Sequence, residues 1–442
     1  MTVSIGFLSI FLALGIIALL IIGLPLAFAT GSIATVATLF LFGPDAMQLE
    51  VMRVFDMMNN YVLVAVPLFI FMANMMERAG VAEQLYSAVH IWSGRMPGGL
   101  AIGTIVACCL MAAMVGIVGA EVVTLGLIAV PTMLKRGYHK NIALGSVCAG
   151  GGLSTLIPPS VVFIVYAMAA GVSVGELFIA GIGPGLLLAA LYIAYIVIRT
   201  GINPSLAPPA PEEEQNLSIR EKARYLKGLI LPMLIAFGVL GSIYAGVATP
   251  TEAAGVGCLG ATVACLINGN LNVAAVKTVL FGTLKVSAMC YWLMFGAQCI
   301  IGIYNMAGGA EFVRSIFAAL PLGPYGIIVV MQLILIFLGC FIDFIGILLL
   351  TMPLFVPIIV ELGFDPIWFG VLFCMNMQVS YISPPFGPSA FYLKGVLPPD
   401  SDVTVTDIFR STVPYMFLIL IALLIIMFVP EVALFLPRMI RS

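Results

Sequence analysis

The stretch Asn376-Met-Gln-Val-Ser-Tyr-Ile-Ser-Pro-Pro-Phe-Gly-Pro-Ser389 decides the fold. It lies in apolar surroundings, yet Pro384-Pro385 remove two successive amide donors and disfavour helix in the residue before them. Main chain that leaves helical form at membrane depth cannot face lipid, because each unpaired amide or carbonyl there costs several kcal/mol. The break must therefore line a cavity enclosed by protein. A second stretch, Gly150-Gly-Gly-Leu-Ser-Thr-Leu-Ile-Pro-Pro-Ser160, has the same grammar. Pro131, Gly137, Pro158 and Pro159 recur as Pro357, Gly363, Pro384 and Pro385, all shifted by 226 (357 − 131 = 384 − 158 = 226), and Ser154 and Tyr166 recur as Ser380 and Tyr392. Leu24-Pro25 returns as Thr249-Pro250 at 225. The chain reads as two copies of one unit: three helices, a hairpin, a broken helix and a closing helix. Five crossings per copy is an odd number, so the second copy is inverted relative to the first.

Composition supports a lipid-embedded chain. Of 442 residues, 62% are apolar and 9% charged, against about a quarter charged in soluble domains. A net charge of −2 leaves no basic footprint for nucleic acid. Nine cysteines without CxxC or Cys/His spacing read as small buried hydrophobes. With roughly 20 apolar residues per crossing, ten spans fall near 4–24, 26–43, 61–79, 142–170, 177–199, 229–247, 252–267, 281–305, 367–395 and 412–436. The first should be retained as a helix, since Met1-Thr-Val-Ser offers no positive n-region. The stretches 98–134 and 325–362 are too long for one crossing and too short for two, and read as re-entrant hairpins with tips at Gly116–Glu121 and Gly339–Gly346. The fold class is thus an all-α integral membrane protein, with ten transmembrane helices plus two re-entrant hairpins in two inverted repeats. The first repeat is 1–200, the second 229–442, and the Pro/Glu-rich 201–228 between them is a linker.

Charge gives an orientation. Arg95, Lys135, Arg136 and Lys140 flank the first hairpin, and Arg199, Arg220, Lys222, Arg224 and Lys227 surround the linker. The mouth of the second hairpin has Glu361 and Asp365 and no Lys or Arg. By the positive-inside rule the first hairpin and the linker are cytoplasmic, the second hairpin opens outside, and both termini are periplasmic. Lys277, Lys285 and Lys394 fall on inner ends, whereas Arg438 and Arg441 dissent. Trp92, Trp292 and Trp368 read as interfacial anchors, and 84–92 as a helix lying on the cytoplasmic surface.

Paired hairpins and paired broken helices meeting at the midplane are the pattern of secondary transporters, in which unwound carbonyls hold cations and helix N-termini suit anions. Gly116, Gly119, Ser154 and Thr155 in the first copy, and Asp343, Ser380 and Ser383 in the second, are the candidates. Asp343 and Glu121 are the deepest acidic residues, where an ionised carboxylate costs roughly 2.5–3.5 kcal/mol and requires a partner. Asp343 could act through a cation or bond backbone amides, and Glu121 could cap the hairpin's second helix or take part in proton coupling. An enzyme is disfavoured: His90 and His139 are the only histidines, Asp45 and Asp56 are assigned to a loop, and HExxH, GxSxG and P-loop motifs are missing.

The runs Val130-Pro-Thr-Met-Leu-Lys-Arg-Gly-Tyr138, Leu156-Ile-Pro-Pro-Ser160, Thr249-Pro-Thr-Glu-Ala-Ala254, Leu362-Gly-Phe-Asp-Pro366 and Ser383-Pro-Pro-Phe-Gly387 resemble the large membrane subunit of tripartite ATP-independent periplasmic (TRAP) transporters, over nearly the whole chain. The resemblance implies Na+-driven import of an organic anion across a bacterial inner membrane, with a small four-helix membrane subunit and a periplasmic substrate-binding protein as partners. It implies an elevator in which 98–170 and 325–395 form the transport domain. Its sodium sites would map to Gly116 and Gly119 with Gly152, Ser154 and Pro158, and to Asp343 with Asn376, Ser380, Ser383 and Pro384. Glu121, Thr155, Ser160, Gly387 and Ser389 are the candidates for substrate contact. The first tip, Val118-Gly-Ala-Glu121, departs from the small hydroxyl residues of many relatives, so a carboxylate or a sulfonate both fit. The rival readings are a stand-alone Na+/dicarboxylate symporter of similar architecture and a structural membrane anchor.

Overall fold

The computed structural model describes residues 4–93, 96–116, 119–209, 219–398 and 401–441. The first copy contains α1 (Ile5–Ile21), α2 (Leu26–Phe42), α3 (Met47–Met58), α4 (Ala65–Arg78) and α5 (Val81–Ser93). The hairpin α6 (Gly99–Val115) and α7 (Ala120–Lys135) follows, then the broken pair α8 (Lys140–Gly152) and α9 (Val161–Ala170) and the closing α10 (Val174–Ile202). In the second copy come α11 (Ile219–Tyr244), α12 (Pro250–Ile267), α13 (Val273–Met306) and α14 (Gly309–Ala318). After them stand the hairpin α15 (Pro324–Gly339) and α16 (Phe344–Glu361), the broken pair α17 (Pro366–Ile382) and α18 (Pro388–Val396), and α19 (Val405–Phe428) with α20 (Glu431–Arg441).

The repeated residues are helix punctuation. Pro25 immediately precedes α2, and Pro250 is the first residue of α12, whose start is fixed by a capping box between Thr249 and Glu252. His139 and Asp365, 226 apart, cap the two broken helices: the Asn141 amide donates to His139 Nδ1 (3.2 Å) and the Ile367 amide to Asp365 Oδ1 (2.7 Å). A cis Pro-Pro peptide follows each of them, Pro158-Pro159 after a 3-10 turn at Leu153–Thr155 and Pro384-Pro385 just past Ile382.

The copies interlock. α8 packs on the opposite copy's closing helix α19, and α17 on α10; α9 packs on the second hairpin's α16, and α18 on the first hairpin's α7. One apolar core runs through both copies, while α1, α2 and the end of α13 enclose a smaller separate cluster around Leu8, Leu12, Ala34 and Ile303.

Several expectations need correction. The span near 281–305 begins earlier, as the 34-residue α13, about 50 Å long at 1.5 Å per residue. Lys285 consequently sits well inside that helix rather than at its inner end. The first copy breaks the corresponding stretch at Asn59–Asn60, where Asn60 caps a short 3-10 turn leading into α4. Asp56 belongs to helix α3, not to a loop. The apolar stretch 412–436 is two helices, because Pro430 follows the last residues of α19 and α20 is amphipathic, with Arg438 paired to Glu431. Trp368 is buried, its indole N–H donating to the Ile426 carbonyl (2.9 Å), so it packs the core and anchors no interface. Trp92 and Trp292 are half exposed. Arg95 and the middle of the linker, 210–218, lie outside the described residues.

Candidate functional site

The first break closes on itself. Ser154 Oγ donates to the Gly151 carbonyl (3.1 Å), Thr155 Oγ1 to the Gly152 carbonyl (3.0 Å) and Ser160 Oγ to the Thr155 carbonyl (2.8 Å). Gln378 arrives from the other copy, and its Nε2 donates to the Gly152 carbonyl (2.7 Å) and to Thr155 Oγ1 (2.5 Å). With the Thr155 proton already directed at Gly152, both atoms require a donor, which fixes the amide orientation. Gly152 and Gln378 are 226 apart and touch, so they lie on the axis relating the copies. The first hairpin reaches this break through its tip: Gly116 has φ +59°, and a Cβ there would stand 2.1 Å from the Pro159 carbonyl oxygen. Only glycine satisfies both the left-handed backbone and this approach. Gly119, φ +104°, faces the Tyr392 ring of the second copy. Ile117 and Val118, between them, lie outside the described residues.

The second break is different. Asn376 Nδ2 donates to the Gln332 carbonyl (2.9 Å) and to Gln332 Oε1 (2.7 Å), but Asn376 Oδ1 has no partner. Ser380, Ser383 and Ser389 are buried with unpartnered hydroxyls. Gly339, at the end of α15, lets Ser380 come so close that any Cβ would overlap its Oγ. Buried polar atoms without partners are uncommon and point to a ligand or ion. Asp343 caps α16, accepting the Ile345 amide at 3.1 Å. Its carboxylate therefore makes the backbone bond that was one of the two readings. Glu121 is fully buried in the first turn of α7 beside Ser154, with both oxygens lacking a hydrogen bond of normal geometry.

A cavity of about 260 Å³ lies between the tips, lined by Gly116, Asp343, Tyr381 and Tyr392 together with Met289 and Cys290 of α13. The N-termini of α9, α16 and α18 reach it through Val161, Phe344 and Pro388. Three positive dipole ends around one cavity suit an anionic group. Of the sites read from sequence, the fold brings Gly116 and Asp343 to this wall. Glu121, Thr155, Ser160, Gly387 and Ser389 are not among its lining residues. Ser160 hydrogen-bonds within its own break, and Gly387 packs against Phe409.

Two clefts flank the cavity. One, about 430 Å³, runs beside the first hairpin between Glu77, Glu83, Thr124 and Gly282; the other, about 390 Å³, runs beside the second hairpin between Arg53, Asn60, Gln298 and Pro353. They use corresponding elements of the two copies, and α13 touches all three spaces. Sequence reading missed Tyr381, Tyr392, Cys290, Gln332 and Gln378. Gln378 and Gln332 carried a usable signal, being amides inside apolar helices.

A helical chain with interlocked inverted copies, two hairpins and two broken helices around a central cavity defines a multi-pass membrane transport protein. The family model described as "Tripartite ATP-independent periplasmic transporter, DctM component" matches residues 13–432, and the chain belongs to that family. It is 34% identical to the C4-dicarboxylate TRAP transporter large permease protein DctM of Pseudomonas aeruginosa, over 91% of this chain and 92% of that protein. It is 32% identical to the ectoine/5-hydroxyectoine large permease protein UehC of Ruegeria pomeroyi, over 97% and 98%. Against the isethionate TRAP transporter permease protein DctMQ of Oleidesulfovibrio alaskensis it is 28% identical, covering 94% of this chain and 64% of that one. Among solved structures, the Alcanivorax borkumensis YdaH transporter shares the fold, with a TM-score of 0.63, 18% identity, and 88% and 89% of the two chains covered.

Proposed function

We propose that this chain carries a small organic acid inward across a bacterial inner membrane, coupled to Na+, as the large permease component of a three-part system. The observation that carries the reading is the set of unpartnered buried oxygens at the second break, Asn376 Oδ1, Ser380 Oγ and Ser383 Oγ. Neutral oxygens from an amide and hydroxyls fit a hard monovalent cation, and a bound Na+ would supply them with the partner they lack. The first break, with Gly152, Ser154 and Pro158 beside Gly116 and Gly119, offers a second cation position through lone pairs its hydroxyls do not use. The substrate's anionic group would sit against the helix N-termini of the central cavity.

The relatives are named for C4-dicarboxylates, ectoines and isethionate, which supports a small carboxylate or sulfonate. The DctMQ relative, longer than this chain, supports a small membrane subunit as partner. A periplasmic binding protein is implied by the family. The hairpins and broken helices, α6–α9 and α15–α18, would move together past α3, α4 and α13 as an elevator, a reading supported by clefts along that boundary on both sides. The charge distribution supports a cytoplasmic first hairpin and periplasmic termini.

The test is uptake by the chain reconstituted with its small subunit and binding protein in liposomes, using succinate, isethionate and ectoine. Uptake should require an inward Na+ gradient and collapse when Na+ is replaced by K+. Uptake indifferent to Na+ would refute the coupling.

A further inference from the structure

The two clefts are alike in position and unlike in chemistry. Beside the first hairpin stand Glu77 and Glu83 with one guanidinium, Arg78. Beside the second stand Arg53, two amides, Asn60 and Gln298, and one carboxylate, Asp56, one turn along α3. Arg53 is half-buried, and among the described residues it makes no hydrogen bond and no ion pair, not even with the exposed Asp56. Its position is nevertheless built. The stem crosses Gly302 of α13, where a Cβ would stand 3.0 Å from Arg53 Cδ and 3.3 Å from Nε. Asn60 uses Oδ1 to accept the Val62 amide (3.0 Å), which leaves its NH2 to donate. A partly desolvated guanidinium without an anion is costly, and its planar fork of donors matches carboxylate or sulfonate oxygens. On α13, Gln298 of this cleft lies about two turns from Cys290 of the central cavity, so one helix lines both spaces.

We propose that this cleft is a second anion site, a loading station in which Arg53 holds the substrate's carboxylate or sulfonate before it reaches the central cavity. It rests on the reading of the chain as an importer of small organic acids whose second hairpin faces the periplasm. The opposite cleft, with two carboxylates to one guanidinium, does not retain an anion in the same way, so the station belongs to one side alone.

The experiment uses the chain with its small subunit in nanodiscs of phosphatidylcholine, with equilibrium binding of succinate and of isethionate in Na+. The wild type should show two binding components for the anion it transports. Arg53→Gln should lose one of them, Arg53→Lys should weaken it about threefold and Gln298→Leu by a similar factor. In liposomes with limiting loaded binding protein, Arg53→Gln should slow initial uptake about tenfold while the saturating rate and the Na+ dependence stay within about twofold. Unchanged binding components in both the Arg53 and Gln298 variants would overturn the station. So would a second component that vanishes when phosphatidylglycerol is added, since the anion would then be a lipid phosphate. Wild-type uptake is measured on the same preparation: if it is absent for succinate, isethionate and ectoine, the transport reading fails and the station with it. If it is present, loss of the station leaves that reading standing.

Discussion

The two Pro-Pro breaks share a spacing, a cis peptide and a place on the pseudo-symmetry axis, yet their polar atoms have opposite fates. In the first, Ser154, Thr155 and Ser160 each donate to a carbonyl of the same segment, and Gln378 supplies the remaining donor. In the second, Asn376 Oδ1 and the hydroxyls of Ser380, Ser383 and Ser389 are left without partners. Duplication thus preserved the geometry that unwinds a helix in the membrane, while the duties of the two unwound segments diverged. One bonds to the other copy through Gln378, and the other leaves its buried oxygens without hydrogen-bond partners.

That contrast can be broken most forcefully at the hairpin tips. Gly116→Ala introduces a Cβ into left-handed backbone, costing about 1–2 kcal/mol from the backbone alone, and drives it into the Pro159 carbonyl, which cannot move aside. Uptake per inserted molecule should fall by more than about tenfold. Gly339→Ala meets a side chain instead, Ser380 Oγ, and the double variant with Ser380→Gly should recover insertion and fold, measured by monodispersity in detergent. Equal loss at both tips, with no recovery in the double variant, would erase the difference between them.

A middle-sized effect sharpens the contrast. Ser380→Ala should raise the Na+ concentration for half-maximal uptake about tenfold, the equivalent of about 1.4 kcal/mol from one lost ligand. Ser154→Ala, whose hydroxyl already serves its own segment, should shift it less than about threefold. Matching shifts would mean that the breaks serve the cation equally. The smallest effect on transport is expected at the axis. Gln378→Leu leaves the Gly152 carbonyl and Thr155 hydroxyl without their donor, costing about 1–3 kcal/mol. The midpoint of thermal unfolding should drop by a few degrees, while Na+ dependence is retained. A changed Na+ dependence at unchanged stability would assign Gln378 to the ion path.

Much of the architecture was legible because it is written in local chemistry. Pro158-Pro159 and Pro384-Pro385 announce the breaks, and runs of apolar residues announce the spans. The hairpins at 98–134 and 325–362 follow from lengths that fit no whole number of crossings. The misreadings have local causes too. A 34-residue helix exceeds the roughly 20 residues one crossing needs, so crossing length alone does not reveal the first turns of α13, and Trp368 misleads because indoles favour both cores and interfaces. Asp343 was legible as a buried acid, but whether its carboxylate meets a cation or a backbone amide depends on a turn that composition does not describe. Glu77, Arg53 and Gln298 gave no sign of lining clefts, since a polar residue on a helix looks the same in sequence whether it faces water or a cavity wall.

The chain's own order of residues determined where helices must stop, that there are two copies, and that one is inverted, because each follows from main-chain hydrogen bonding and the length of a lipid crossing. Tertiary structure alone decided which oxygens are satisfied and which remain open, that Gln378 reaches Gly152, and that Arg53 has no ion pair among the described residues. Those outcomes depend on side chains separated by about half the sequence arriving within hydrogen-bond distance, and nothing within a few residues of either partner encodes the meeting.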